Sequence, residues 1–250
     1  MRRTKHAFFI FLLVFVSCAD TFDPQDVIKI RVPDGTTSIP ADNNSKIELI
    51  AYIPKDADDD KRTIRFETTS GVFTENNEKE VELKAEDTLE LGGEKFLSAN
   101  VILKSSNTVT ESLTVSAEID LYPARTTLSF TEAPPTTISL SADKLEVTNT
   151  FDSELVLTAL VKSDTGFPSA GSSVLFRIYD NSNDLLFTDV RFREQQLNIN
   201  SMGNASAIFS AGNLLKNGLP FEGDLRIECV VNNNEEISDS ILINVTSKTE

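Results

Sequence analysis

The 250-residue chain has no tryptophan, two cysteines and a single histidine. The histidine is His6, in an N-terminal stretch that reads as a removable leader. Without it the Ser-His-Asp and Cys-His catalytic arrangements fall away, as do histidine-ligated metal sites. The lack of tryptophan removes the favoured stacking platform for sugars and leaves Tyr52, Tyr122, Tyr179 and the phenylalanines, of which Phe66, Phe176 and Phe209 sit in core patterns. Positive charge is scarce. Lys and Arg number 23 against 39 Asp and Glu, a net charge of −16. Loss of Arg2, Arg3 and Lys5 with the leader leaves 20 basic residues against the same 39 acids, or −19. Such a chain is repelled by phosphate backbones, so nucleic acid is excluded as a partner. Long hydrophobic runs are also missing. The apolar stretch Ala7 to Val16 has ten residues, whereas a membrane-spanning helix needs ~20.

What is present begins with an export signal. Arg2, Arg3 and Lys5 precede the apolar Ala7–Val16 core, in the order of a signal peptide. Phe15-Val16-Ser17-Cys18 follows and resembles a bacterial lipobox, with Phe15 where leucine is usual. The resemblance implies cleavage between Ser17 and Cys18, a diacylglyceryl group on the Cys18 sulfur and acylation of the new amino terminus. Several acyl chains anchor a protein where one holds it only reversibly. The alternative is an ordinary secretory signal with an incidental cysteine. Asp20, Asp23 and Asp26 loosely resemble surface-export signals, and an acidic solvated tether over residues 18–26 explains them equally. If Cys18 carries lipid, Cys229 has no partner for an internal disulfide.

The rest of the chain reads as all-β. Period-two alternation marks Val27–Val32, Lys46–Ile53, Thr63–Phe66, Glu80–Leu83, Ala99–Lys104 and Leu113–Leu121, each bounded by Asn, Asp, Gly, Ser or Pro. That is the pattern of antiparallel sheets with one buried face, arranged as a sandwich or barrel. Thr131-Glu132-Ala133-Pro134-Pro135 marks a stiff linker, because consecutive prolines hold the backbone extended. It divides the chain into a leader (1–17), a tether (18–26) and two domains (27–133 and 134–250). The halves read as copies of one plan. Ser45–Ala51 aligns with Ser153–Ala159, Thr63–Phe66 with Ser173–Phe176, and Leu113–Ile119 with Leu225–Val231.

The second half carries Leu157–Lys162, then Asp164-Thr165-Gly166-Phe167-Pro168, then Gly171-Ser172-Ser173-Val174-Leu175-Phe176, and later Gly203 before Asn204-Ala205. This resembles the bacterial Ig-like domain of the invasin and intimin type, with its G-x-x-V-x-F strand and its D-x-x-G-x-P turn, the latter one residue shorter here between Asp164 and Gly166. The first half retains Ala51, Ile64, Phe66 and Ser70-Gly71-Val72-Phe73, with an Asp-rich loop in place of the turn. The resemblance implies two tandem immunoglobulin-like β-sandwich domains and an adhesion, spacer or presentation role. It implies no catalysis and carries over no binding residues.

Three further features are weighed against plain structure. Asp56, Asp58, Asp60 and Glu67 stand at calcium-loop positions, but Lys61 occupies the place of the required glycine and Thr63–Phe66 alternates as a strand. A solvated acidic loop is expected. Cys229 shares a strand face with Leu225, Ile227 and Val231 and aligns with Ala117, so a buried core thiol is expected. The 39 acids permit carboxylate pairs for glycoside hydrolysis, but no spacing singles one out.

No catalytic, cofactor or metal residue is therefore assigned. The expected protein is a non-enzymatic, lipid-anchored lipoprotein of the bacterial outer membrane, displayed at the cell surface, with the periplasmic face as the alternative. Its partners are the membrane, through the anchor, and another protein or cell-surface component. The alternatives are a periplasm-facing scaffold for an outer-membrane assembly or export machine and, third, a carbohydrate-binding or hydrolysing lipoprotein. Loops Asp56–Arg62 and Asn181–Asp184 are where specificity is expected.

Overall fold

The computed structural model describes residues 27–180, 192–212, 214–216 and 218–247. The first half contains β1 (Lys29–Arg31), β2 (Ser38–Pro40), β3 (Lys46–Pro54), β4 (Thr63–Thr68) and β5 (Val72–Phe73). They are followed by β6 (Glu80–Lys84), β7 (Asp87–Leu91), β8 (Glu94–Lys104), β9 (Thr110–Ile119) and β10 (Tyr122–Thr131). One sheet runs β1-β3-β8-β5, with β7 also on β8, and the other runs β2-β10-β9-β4-β6. Alternation does what it should: along β3, Ile47, Leu49, Ala51 and Ile53 are buried while Lys46 and Glu48 face water.

The second half contains β11 (Thr137–Ala142), β12 (Glu146–Thr148), β13 (Glu154–Lys162), β14 (Val174–Asp180) and β15 (Arg193–Gln196). After these come β16 (Asn204–Ser210), the short pair β17 (Leu215–Lys216) and β18 (Leu219–Pro220), then β19 (Gly223–Val231) and β20 (Asn234–Thr246). Its sheets run β11-β13-β16-β15 and β12-β20-β19-β14. In both halves the opening strand switches sheets and its second piece lies parallel to the last long strand: β2 on β10, β12 on β20. The chain is thus two tandem immunoglobulin-like β-sandwiches.

The register repeats with the topology. Phe66 pairs with Ala117 in the first sandwich, and the aligned residues Phe176 and Cys229 pair in the second. Likewise Ala51 pairs with Ala99 and Ala159 with Ala205. A phenylalanine opposite a small residue fills one layer between the sheets, and its burial is worth ~1.5–3 kcal/mol. The two cores are separate. One is drawn from residues between Ile28 and Phe130, the other from residues between Leu140 and Val245, with no shared member. Thr131 ends β10 and Thr137 begins β11.

Several strand expectations are corrected. The run beginning at Val27 pairs only over Lys29–Arg31. The run Leu113–Leu121 stops at Ile119, because Asp120 takes a positive φ of 52° and forms with Leu121 the two-residue turn into β10. Leu121 is therefore 87% exposed rather than part of a strand face. β10 itself escaped the pattern, since Pro123 and the Arg125-Thr126-Thr127 stretch break its alternation.

Candidate functional site

The most specific side-chain chemistry among the described residues lies where the ends of the two sandwiches meet. Between β2 and β3 the chain turns through Ala41-Asp42-Asn43-Asn44-Ser45. The Asp42 carboxylate shapes that turn by accepting the backbone N–H of Asn44 (2.9 Å) and of Ser45 (2.6 Å), and the Ser45 hydroxyl (2.8 Å). This is the habit of aspartate in tight turns. The Ser105 hydroxyl, at the end of β8, donates to the same carboxylate at 3.0 Å.

The second sandwich presents its β13–β14 loop to this turn. Thr165 donates its hydroxyl to Asp42 Oδ2 at 2.5 Å, and Phe167 donates its N–H to the Asp42 carbonyl at 2.9 Å. Asn44 Nδ2 donates to the Thr165 carbonyl at 2.6 Å. Nearby, Ser169 ties three segments: its hydroxyl donates to the Ala41 carbonyl (3.0 Å), accepts from the Ala133 N–H (2.8 Å), and its N–H reaches the Ala133 carbonyl (3.0 Å). Ala170 N–H donates to the Asn107 carbonyl at 2.7 Å. Ala41, Asp42, Ala133 and Ser169 are all buried.

The electrostatics of Asp42 follow from this cage. Burial opposes ionisation, but donors from Thr165, Ser45 and Asn44 outweigh it and hold the carboxyl below its ordinary value. Gly166 earns its place by proximity, not by φ. A Cβ there would lie 2.6 Å from the Asp42 carbonyl oxygen and 2.8 Å from Asn44 Cβ. The Asp164–Pro168 turn, read from the sequence as a local feature, is therefore the docking edge of the second sandwich. Asp42, Asn44 and Ser169 were not singled out from the sequence; the only signal for the first two was the Asp-x-Asn-Ser turn after β2, and Ser169 had none.

Of the residues the sequence did single out, Ser17 and Cys18 lie outside the described residues, as do Asn181–Asp184. Cys229 is buried and free, opposite Phe176. Burial, reinforced by Asp239 and Glu228, pushes its thiol up to about 12. The acidic loop is not a convergent ligand set. Glu67 lies exposed on β4, opposite Glu80, and Asp59 pairs with Arg62 and Lys84 at 3.2 Å each. Among the described residues no group of three or more Cys, Asp or Glu side chains is placed to hold a metal ion.

Two hollows mark the surface, one at the joint and one away from it. A polar groove of about 440 Å³ runs beside it, between Pro134-Pro135 and Asn232–Asn234. An apolar-floored cleft of about 530 Å³ opens at the far pole of the first sandwich, between Tyr122 and the Asp56–Lys61 loop.

No family model matches the chain, and no curated protein does. Solved structures share its fold. Invasin, a bacterial integrin-binding protein, is similar over 89% of this chain and 40% of its own, with a TM-score of 0.58 and 14% identity. The Yersinia pseudotuberculosis adhesin InvE is similar over 88% of this chain and 60% of its own, with a TM-score of 0.41 and 12% identity. The D0–D1 domains of intimin give 88% and 97%, with a TM-score of 0.32 and 17% identity. The chain spans about two fifths of invasin, and at such identities the likeness is one of fold.

Proposed function

We propose that this chain is a non-enzymatic adhesion, spacer or docking module of the bacterial cell envelope, anchored by lipid on Cys18 after cleavage behind Ser17. The observation that carries the reading is the caged Asp42 carboxylate. It spends a buried charge and its hydrogen bonds on holding two sandwiches end to end, which is useful to a protein that must present a surface at a distance. The likeness of fold to invasin leans the same way. Eight residues separate Cys18 from Val27, a reach of ~30 Å when extended. The tether therefore lets the first sandwich stand clear of the lipid headgroups.

Two measurements test this. Cys18→Ser is expected to abolish acyl labelling and to move the protein from membrane to soluble fractions; membrane retention without lipid would remove the anchor. Protease added to intact cells is expected to destroy an epitope in the second sandwich. Protection on intact cells, with cleavage once the outer membrane is opened, would favour a periplasm-facing scaffold for an outer-membrane machine. Degradation of a polysaccharide by the purified chain would replace both readings with the hydrolase.

A further inference from the structure

The cleft at the pole of the first sandwich away from the joint, where the chain enters at Val27, has the make-up of a binding site that the joint does not use. Its floor is apolar: Val27, Ile53, Ala57, Ile119 and Tyr122 line it. Ile53 and Ile119 are core residues, buried from below, whose outer faces close the bottom of the hollow. Leu121 projects from the hairpin tip between two lining residues, Asp120 and Tyr122, and at 87% exposure it packs on almost nothing. A single exposed leucine is unremarkable; this one stands in sequence between two residues that line a hollow of about 530 Å³.

The rim is acidic and unspent. Asp56, Asp58 and Asp120 line the cleft against one cation, Lys61. Asp59, one residue along, points away and is neutralised by Arg62 and Lys84. Asp58 precedes the 3₁₀ turn Asp59–Lys61 yet caps nothing. The loop that carries these carboxylates is nevertheless braced. Arg62 donates twice to the Ala57 carbonyl, at 3.0 and 2.8 Å, its own carbonyl accepts the Ala85 N–H, and Ala57 N–H closes onto the Pro54 carbonyl. The walls are thus ordered before any partner arrives, which lowers the entropic cost of binding.

We infer that this cleft is a docking site for a protein segment in which a large apolar side chain neighbours a lysine or arginine. The apolar side chain would cover Ile53, Ile119 and Tyr122 from above, and the cation would lie among Asp56, Asp58 and Asp120, where the net field of the rim is negative. Charge complementarity selects this occupant over an anionic lipid surface, which the same three carboxylates repel. The inference rests on the reading of the chain as a docking module and supplies its site and partner chemistry.

The test uses the soluble chain from residue 19, isotopically labelled for amide NMR, and three blocked hexapeptide probes. One alternates phenylalanine with lysine, one phenylalanine with glutamate, one alanine with lysine. The first is expected to shift the amides of Ile53, Ala57, Leu121 and Tyr122; the other two are expected to leave them in place. Asp56→Asn, Asp58→Asn and Asp120→Asn combined should weaken the first probe about tenfold, since rim charges are being removed from an otherwise unchanged floor. In the unsubstituted chain, salt raised from about 0.05 to about 0.5 M should weaken it in the same direction, independently of any effect of substitution on folding. Equal binding of the glutamate probe, shifts confined to other surfaces, or insensitivity to both salt and the triple substitution would overturn the site. So would the same shifts produced by vesicles of phosphatidylglycerol. None of these failures touches the anchored-module reading, which stands or falls on Cys18 and on protease access to the second sandwich.

Discussion

The Thr165 hydroxyl of the second sandwich donates to the Asp42 carboxylate of the first, across 123 residues of sequence, at 2.5 Å. The bond is more than a contact between domains. The same carboxylate organises the β2–β3 turn and receives Ser105 from the end of β8, so the docking loop is tied to an element that the first sandwich needs for itself. The joint is hydrogen-bonded where the two cores are apolar, and it is therefore the part of the molecule most open to selective disruption.

Asp42→Ala should loosen the joint and destabilise the first sandwich together, because Ser45, Ser105 and Thr165 lose a charged acceptor. Hydrogen bonds to charged groups are worth ~1.5–3 kcal/mol each, so a loss of several kcal/mol is expected. Thr165→Ala removes only bonds between the sandwiches, the one to Asp42 and a longer one from the Ser45 hydroxyl, and should cost ~1.5–3 kcal/mol at the joint, with the first sandwich unaffected. Chemical denaturation monitored separately in each half, with a double-mutant cycle, checks the difference; zero coupling between the two positions would dissolve the latch.

Gly166→Ala should separate the sandwiches without unfolding either. Its backbone is not in the left-handed region, but the added Cβ would meet the Asp42 carbonyl at 2.6 Å. Solution scattering should show a broader range of inter-sandwich distances, and the Phe167 amide should exchange faster. Gly203→Ala is the contrast. Gly203 has φ +79° and lies against the Val161 carbonyl and the Phe167 ring, so its substitution should cost the second sandwich on the order of 2 kcal/mol. An unchanged scattering profile for Gly166→Ala would show that the joint accommodates the methyl.

Acid should open the joint before it unfolds the cores. The folded Asp42 carboxyl titrates below its ordinary value of 3.8. A depressed carboxyl contributes stability that is complete above the unfolded value and is lost as pH falls through the folded one. The joint should therefore be insensitive to pH near neutrality and weaken only below about pH 4. Amide exchange at Phe167 measured against pH reads this directly. The same exchange profile in Asp42→Asn would mean that another group sets the transition.

Cys229 should react slowly with a water-soluble alkylating reagent in the folded chain and fast in denaturant. Its thiol is buried and raised to about 12 from 9.0, so thiolate is scarce at neutral pH. Its linked contribution to stability is complete below the ordinary value and is lost as pH rises through the folded one. Cys229→Ala should cost on the order of 1 kcal/mol through lost packing against Phe176. Rapid labelling of the native chain would contradict the core position.

Much of the fold could be read from residue order because period-two alternation is a local property. Ile47, Leu49, Ala51 and Ile53 declare a buried face wherever the strand goes, and the alternation that places Cys229 with Leu225, Ile227 and Val231 does the same in the second half; that Phe66 lies opposite Ala117 and Phe176 opposite Cys229 came from the strand register. β10 was hidden because Pro123 and a polar stretch interrupt that rhythm, and its pairing is set by β9 through the Asp120-Leu121 turn. The expected ends of strands shifted for the same reason: a positive φ at Asp120 ends a strand that composition alone would continue.

Sequence by itself determined the acidic character, the tandem all-β plan and the buried place of Cys229, since each depends on composition or on neighbours a few residues apart. Only the tertiary structure decided that Asp42, Thr165, Gly166 and Ser169 form one joint, and that Asp56, Asp58 and Asp120 border one cleft. Those groupings join residues from distant loops whose proximity depends on how strand ends meet in space. A hydrogen bond spanning 123 positions leaves no periodic trace in the chain. Asp42 looks like any turn aspartate until the second sandwich is set against it.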